Sequence, residues 1–245
     1  MKDTFGKQLF AQYKNRKLLT EIVERDDGFI EESSYASRYF NSYKKWSRIE
    51  KEAMKLIKGP TLDIGCGAGR HALYLQKKGV DVVGIDNSPL AIKICKLRGL
   101  KNTKILSIDE VEKIEERHFN SILMLGNNFG LFGSSRKIKT ILKKLDKITT
   151  KKCKIIAECV DPYNTKNPVH LKYHKFNKKR NRMPGQLRLR INYNNIKGEW
   201  FDYLFVSIKE IDNLLKHTNW KISEVLEENK SIYIVILEKN NFMLL

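Results

Sequence analysis

The chain has 245 residues, 41% apolar and 10% aromatic, enough to bury one full core with a small accessory lobe, which excludes global disorder. Forty-seven Lys and Arg against 28 Asp and Glu give a net charge of +19, so either a lysine-rich solvated surface or a polyanion-binding face is expected. No apolar run approaches the roughly 18 residues that cross a bilayer. The opening MKDTFGKQLF lacks a signal peptide's apolar centre, so the expectation is a cytoplasmic protein with no membrane partner.

Residues 1–58 read as a helical segment, broken at 24–34 and ending before the first strand. Tyr35, Tyr39 and Phe40 stand beside Glu31 and Glu32 and make this segment a candidate lid; an aromatic stripe packed into the core is the other reading. From 59 to 160 short β-type runs at 61–65, 81–86, 103–108, 119–125 and 154–160 alternate with helical stretches. The runs are almost continuously apolar, as parallel strands covered on both faces are. Gly79 closes the first helix, Ser88 with Pro89 opens the second, and Ser134 or Ser135 opens the third. Repeated strand–helix–strand units predict a doubly wound α/β fold with right-handed crossovers.

Residues 161–206 form a basic insert, in which 186–193 and 198–206 alternate at period two and predict a β-hairpin. Between 161 and 200, ten basic residues face only Asp161 and Glu199, and Arg180, Arg182, Arg188 and Arg190 cluster. Arginine's planar fork suits carboxylate or phosphate. Residues 207–245 complete the core: Ser207 and Glu210 form a capping box, and 221–228 with 231–239 add an antiparallel hairpin to the parallel sheet.

The chemistry concentrates at strand ends. Asp63-Ile64-Gly65-Cys66-Gly67-Ala68-Gly69 follows the first strand and permits a tight turn with close backbone approach to a ligand. A dinucleotide fingerprint needs glycine where Arg70 stands. Asp86 and Asn87 end the second strand, where a carboxylate can accept two ribose hydroxyls. Ile108-Asp109 follow the third strand, and Gly126-Asn127-Asn128-Phe129-Gly130 follow the fourth. Cys66, Cys95, Cys153 and Cys159 show no C-x-x-C pair and no zinc spacing, so reduced, unreactive thiols are expected. His170 and His174 can share a helix face but have no third ligand nearby, and no metal is expected. His71 reads as a helix-surface residue.

Taken in order, Asp63-x-Gly65-x-Gly67-x-Gly69, Asp86 and the two later loops resemble the motifs of class I S-adenosylmethionine (SAM)-dependent methyltransferases. The resemblance covers about 35–160 and 207–239. It implies SAM as cofactor, with Asp63, Gly65, Cys66, Gly67 and Gly69 around the donor, Asp86 and Asn87 at the ribose, Ile108 and Asp109 at the adenine, and Gly126 near the methyl. The Gly126–Gly130 loop is similar to the G-N-S-F loop of some small-molecule N-methyltransferases. Asn127, Asn128, Tyr163 and His174 are carried as catalytic candidates; Glu158, Asp161 and His170 are further candidates for removing a proton.

The implied activity is N- or O-methylation of a small acceptor, one that can be acidic or phosphorylated because of the basic insert. RNA methylation through that insert and a catalytically silent SAM-binding subunit remain as alternatives. An NAD-linked dehydrogenase is disfavoured by Arg70 and the terminal hairpin. The sequence fixes neither the acceptor nor the oligomeric state.

Overall fold

The apolar runs of the central segment sort their side chains onto two faces of one sheet. Along the strand Phe119–Met124, Ile122 and Met124 enter one core and Leu123 enters the other. The computed structural model describes residues 2–15, 20–33, 35–114 and 118–240, with Ser33 and Tyr35 described by backbone alone. It begins with α1 (Thr4–Asn15), β1 (Glu21–Arg25), β2 (Ile30–Ser33) and α2 (Arg48–Lys55). The alternating core follows as β3 (Thr61–Ile64), α3 (Arg70–Lys77), β4 (Val82–Asp86), α4 (Pro89–Leu97), β5 (Asn102–Ile105), β6 (Phe119–Met124), α5 (Ser135–Lys147) and β7 (Thr149–Val160). Then come α6 (Pro168–Lys179), β8 (Gln186–Tyr193), β9 (Ile196–Lys197), β10 (Phe201–Leu204), α7 (Ile208–Leu215), β11 (Trp220–Glu227) and β12 (Ile232–Lys239).

Seven strands form the main sheet in the order β11-β12-β7-β6-β3-β4-β5. Its β3 to β7 pairings are parallel, whereas β12 runs antiparallel to both β7 and β11. This is the α/β architecture the sequence predicts, with the terminal hairpin wedging β12 beside β7. Among the described residues no helix is long and apolar enough to cross a membrane.

The second sheet departs from expectation. The stretch read as a break between helices is a hairpin, β1 and β2, turning at Gly28 with φ +86°. β1 then pairs antiparallel with β8, Ile22 opposite Asn192 and Arg25 opposite Leu189, and β10 covers the other edge of β8. So the N-terminal segment and the insert, separate in the sequence, share one sheet. The period-two signal of β1 spans only five residues, and its main partner lies far along the chain, so local pattern could not announce it.

The clustered arginines hold this sheet together. Arg190 grips Glu24 through Nε (2.9 Å) and Nη2 (2.6 Å), and Arg180 meets Asp26 at 2.9 Å. Arg182 meets Asp202 at 3.0 Å, and Arg188 approaches the same carboxylate at 3.6 Å. Beneath them Asn177 of α6 is fully buried; its Nδ2 donates to the carbonyls of Pro184 (3.0 Å) and Gln186 (2.8 Å). Asn177→Ala leaves both carbonyls unsatisfied in a buried place. It is expected to lower stability by about 1–3 kcal/mol, read as a fall in the chemical-denaturation midpoint at unchanged slope.

Candidate functional site

A cavity of about 690 Å³ lies between the carboxyl ends of β3, β4 and β6 and the facing side of the second sheet. That volume is within the roughly 300–1,000 Å³ of small-molecule sites. The crevice is where open α/β sheets place ligands.

Its floor is the turn after β3. Gly65, Gly67 and Gly69 all have positive φ, and the Gly65 and Cys66 amides both donate to the Ile85 carbonyl, at 2.9 and 3.0 Å. A Cβ on Gly65 would lie 2.7 Å from Asn128 Nδ2, so glycine there also keeps the loop and its neighbour in contact. Gly65 and Cys66 line the cavity, and Gly69 caps α3 behind it. Asp63 lies below the wall rather than in it: it is 2% exposed, and burial pushes its carboxyl up to about 7.

Asp86 ends β4 with one oxygen accepting the Gly67 amide and the other the Ser88 amide, each at 2.9 Å. Burial, reinforced by Asp3, pushes its carboxyl up to about 6. Each oxygen keeps a lone pair for a ligand hydroxyl, so the carboxylate and the glycine cradle fit the ribose of SAM. Asn87 lines the same end. Asp3 itself caps two helices, accepting the Gly6 amide (2.8 Å) and the Ser88 hydroxyl (2.8 Å), which brings the start of α1 to the cavity rim. Ile108 and Asp109 line the cavity, Asp109 held by Lys137 at 3.1 Å.

Gly126, Asn127 and Asn128 also reach the cavity. Asn128 Nδ2 donates to the carbonyls of Ile64 (3.0 Å) and Gly65 (2.9 Å), so its amide braces the glycine turn. Asn127 has φ +63°; its carbonyl accepts the Tyr203 hydroxyl at 2.7 Å, and its own Oδ1 is buried with no partner among the described residues. A Cβ on Gly130 would fall 2.2 Å from the Tyr203 ring, so the smallness of that loop residue lets β10 close over it.

Tyr163 and His174 are not brought to this cavity. Tyr163 is 46% exposed and donates to Glu210 at 2.6 Å, while His174 packs against its ring, centroids 6.0 Å apart. The path of the chain after β7 carries Tyr163, before α6, and His174, on it, away from the cavity, which no local motif specified. His170 is held by Arg25 at 3.1 Å. Glu158 accepts the Gly126 amide at 2.9 Å, and burial pushes its carboxyl up to about 7.

His71 is buried, not on a helix surface. Its Nε2 lies 3.1 Å from Glu50 Oε1, which also accepts from Arg70. Burial alone would raise Glu50, but the His71 hydrogen bond and the Arg70 charge hold it down at about 2. His71 is pushed down to about 4 by burial and is neutral at pH 7. Arg70 and His71 line the cavity, as do Glu21, Tyr39 and Tyr203 from the cover. Sequence reasoning missed Glu21 and Tyr203. Phe40 instead stacks on Tyr13, centroids 6.2 Å apart, and Tyr35's side chain lies outside the described residues. The arginines that suggested an acidic acceptor are each engaged by a carboxylate of the cover itself.

Comparison with known proteins agrees with this geometry. The family described as tellurite resistance protein TehB matches residues 29–201. A SAM-dependent methyltransferase from Bacteroides fragilis, solved in complex with S-adenosyl-L-homocysteine, superposes with a TM-score of 0.81 at 25% identity, covering 97% of this chain and 95% of that one. A 2-heptyl-1-hydroxyquinolin-4(1H)-one methyltransferase of Mycobacteroides abscessus is 39% identical over 85 residues, 29% of this chain and 37% of that protein. A tRNA (uracil(54)-C(5))-methyltransferase of Pyrococcus horikoshii is 28% identical over 123 residues, 47% of this chain and 28% of that protein. The chain thus spans only about a third of the length of these curated relatives.

Glu21, Asp63, Asp86 and Glu158 are all raised, to about 7, 7, 6 and 7. Between about pH 4 and 7 the folded chain therefore holds protons that the unfolded chain has lost, and stability falls as pH rises through that window. His71, lowered to about 4, opposes this below its unfolded value near 6.5, as do His170 and His174, both lowered by burial. Calorimetry of the ligand-free protein is expected to give a higher melting temperature at pH 5.5 than at pH 8, and Glu158→Gln is expected to flatten the dependence.

Proposed function

We propose that this chain, which belongs to the TehB family and to the class I SAM-dependent methyltransferases, moves a methyl group onto a nitrogen or oxygen of a small molecule held between its two sheets. SAM is the cofactor, and it supplies an already activated sulfonium methyl. The residues of the chain then have to hold, orient and keep out water. Asp86 takes the ribose hydroxyls, Ile108 walls the adenine side, and the Gly65–Gly67 backbone lets the ligand approach closely. Asn128 fixes the turn against the β6 loop, and Tyr203 fixes that loop against the cover. Phe5, Glu21, Val23 and Tyr39 form part of the roof.

The observation that carries this reading is the position of the cavity. One wall is the glycine turn with Asp86, the opposite wall is the second sheet, and the space between has the size of a donor with a small acceptor. Engagement of the insert's arginines within that sheet supports a small molecule over RNA.

Purified chain with methyl-labelled SAM should transfer label to an acid-soluble metabolite fraction; label on tellurite, the compound the family description names, would instead make tellurium the accepting atom. Label appearing only in tRNA would overturn the small-molecule reading, and no transfer from any fraction would favour a silent SAM-binding subunit. Asp86→Asn is expected to weaken S-adenosylhomocysteine binding by roughly tenfold to a hundredfold, the worth of a charge-assisted hydrogen bond, measured by calorimetry.

A further inference from the structure

The roof of the cavity holds a carboxylate that the fold does not need. Glu21 opens β1, and its backbone sits opposite Ser33 of β2. The side chain is 6% exposed and lines the cavity, yet among the described residues no hydrogen bond or ion pair reaches it. An unpaired buried carboxylate is costly, and a residue kept only for packing would be apolar or amide. Its neighbours do not compensate. Glu31 of β2 adds negative charge, and the groups beside it on the roof are the phenols Tyr39 and Tyr203, both raised by burial with Glu21 contributing. Arg70, which also lines the cavity, is engaged by Glu50. Across the cavity the Asp86 carboxylate is a further negative group.

We propose that Glu21 is the acceptor-recognition residue, taking the N–H of a small primary or secondary amine and accepting its proton as the nitrogen is methylated. The inference rests on the methyl-transfer reading above. In the step the amine lone pair forms the new N–C bond, the methyl–sulfur bond breaks with its electron pair left on sulfur, and the N–H proton passes to a Glu21 oxygen. Burial, with Glu31 adding, pushes the Glu21 carboxyl up to about 7, so it exchanges a proton near neutral pH. Tyr39 and Tyr203 bring aromatic rings to the same cavity, and such rings attract a nitrogen carrying positive charge. An acidic acceptor would meet Glu21, while Lys137 and Arg188 at the rim are already engaged by Asp109 and Asp202.

Calorimetry on protein saturated with S-adenosylhomocysteine tests this with benzylamine, histamine and putrescine against benzyl alcohol and benzoate. At least one amine is expected to bind wild type more tightly than the alcohol or the acid. Glu21→Gln should lose that amine's affinity by tenfold or more, Glu21→Asp should keep most of it, and S-adenosylhomocysteine affinity should not change. Ligand-free Glu21→Gln should also melt higher than wild type at pH 8, because the raised carboxyl no longer opposes folding. Equal amine affinity in wild type and Glu21→Gln, benzoate binding in preference to every amine, no amine binding by wild type that does bind S-adenosylhomocysteine, or a lower melting temperature for Glu21→Gln would each overturn the proposal. Wild type that fails to bind S-adenosylhomocysteine would instead refute the methyl-transfer reading and remove the proposal's ground.

Discussion

The antiparallel pairing of β1 with β8 is the constraint on which the site depends. Without it the crevice above the main sheet is an open groove, as any doubly wound sheet offers. With it, a strand from the first part of the chain is locked to a strand of the insert, and their common face closes the crevice. The pairing joins Ile22 to Asn192, so folding has to close a very long loop before any of these hydrogen bonds form. The bidentate Arg190–Glu24 contact and the Arg180–Asp26 pair lie along the same seam and fix its register. Arginine is the suited residue, because its fork holds two oxygens in one geometry.

A high positive charge therefore coexists with a cavity whose inner groups are mostly acidic. The lysines lie chiefly on the solvated surface, while Asp86, Glu21, Asp63 and Glu158 sit at or beneath the cavity. Burial raises each of them, and like charge adds to the shift at Glu21 and Asp86. Such groups weaken the ligand-free fold at neutral pH, although backbone amides already meet Asp86 and Glu158. The opposite arrangement holds one shell away, where Glu50 gathers Arg70, His71 and the Ser47 amide and is strongly acidic. That cluster braces the first turn of α3 against α2, so the glycine turn is rigid on one flank and held by Asn128 on the other.

The residues legible in the sequence are those whose role is fixed by nearby backbone. Gly65, Gly67 and Gly69 announce a turn of positive φ, Asp86 stands where β4 ends before the Ser88–Pro89 helix start, and Asn127 and Asn128 follow β6 by the same logic. Gly65, Asp86, Asn127 and Asn128 line the cavity. Tyr163 and His174 follow β7 in sequence, but the chain leaves the sheet there: Tyr163 bonds Glu210, and His174 of α6 packs on its ring. Asp63 shares the turn with the glycines yet lies under it, since alternate residues of β3 face opposite sides.

What the sequence by itself determined is the main sheet with its antiparallel end, the glycine turn and the carboxylate at 86, all products of local periodicity and of φ values that few residues adopt. Only the tertiary structure decided what faces them. Glu21 of β1 and Tyr203 of β10 come to one cavity because both strands pair with β8, and Tyr39 joins them from the turn at 35–40. Strand pairing at such distances depends on which edges are left unpaired once the core has formed, and that information is spread over the whole chain.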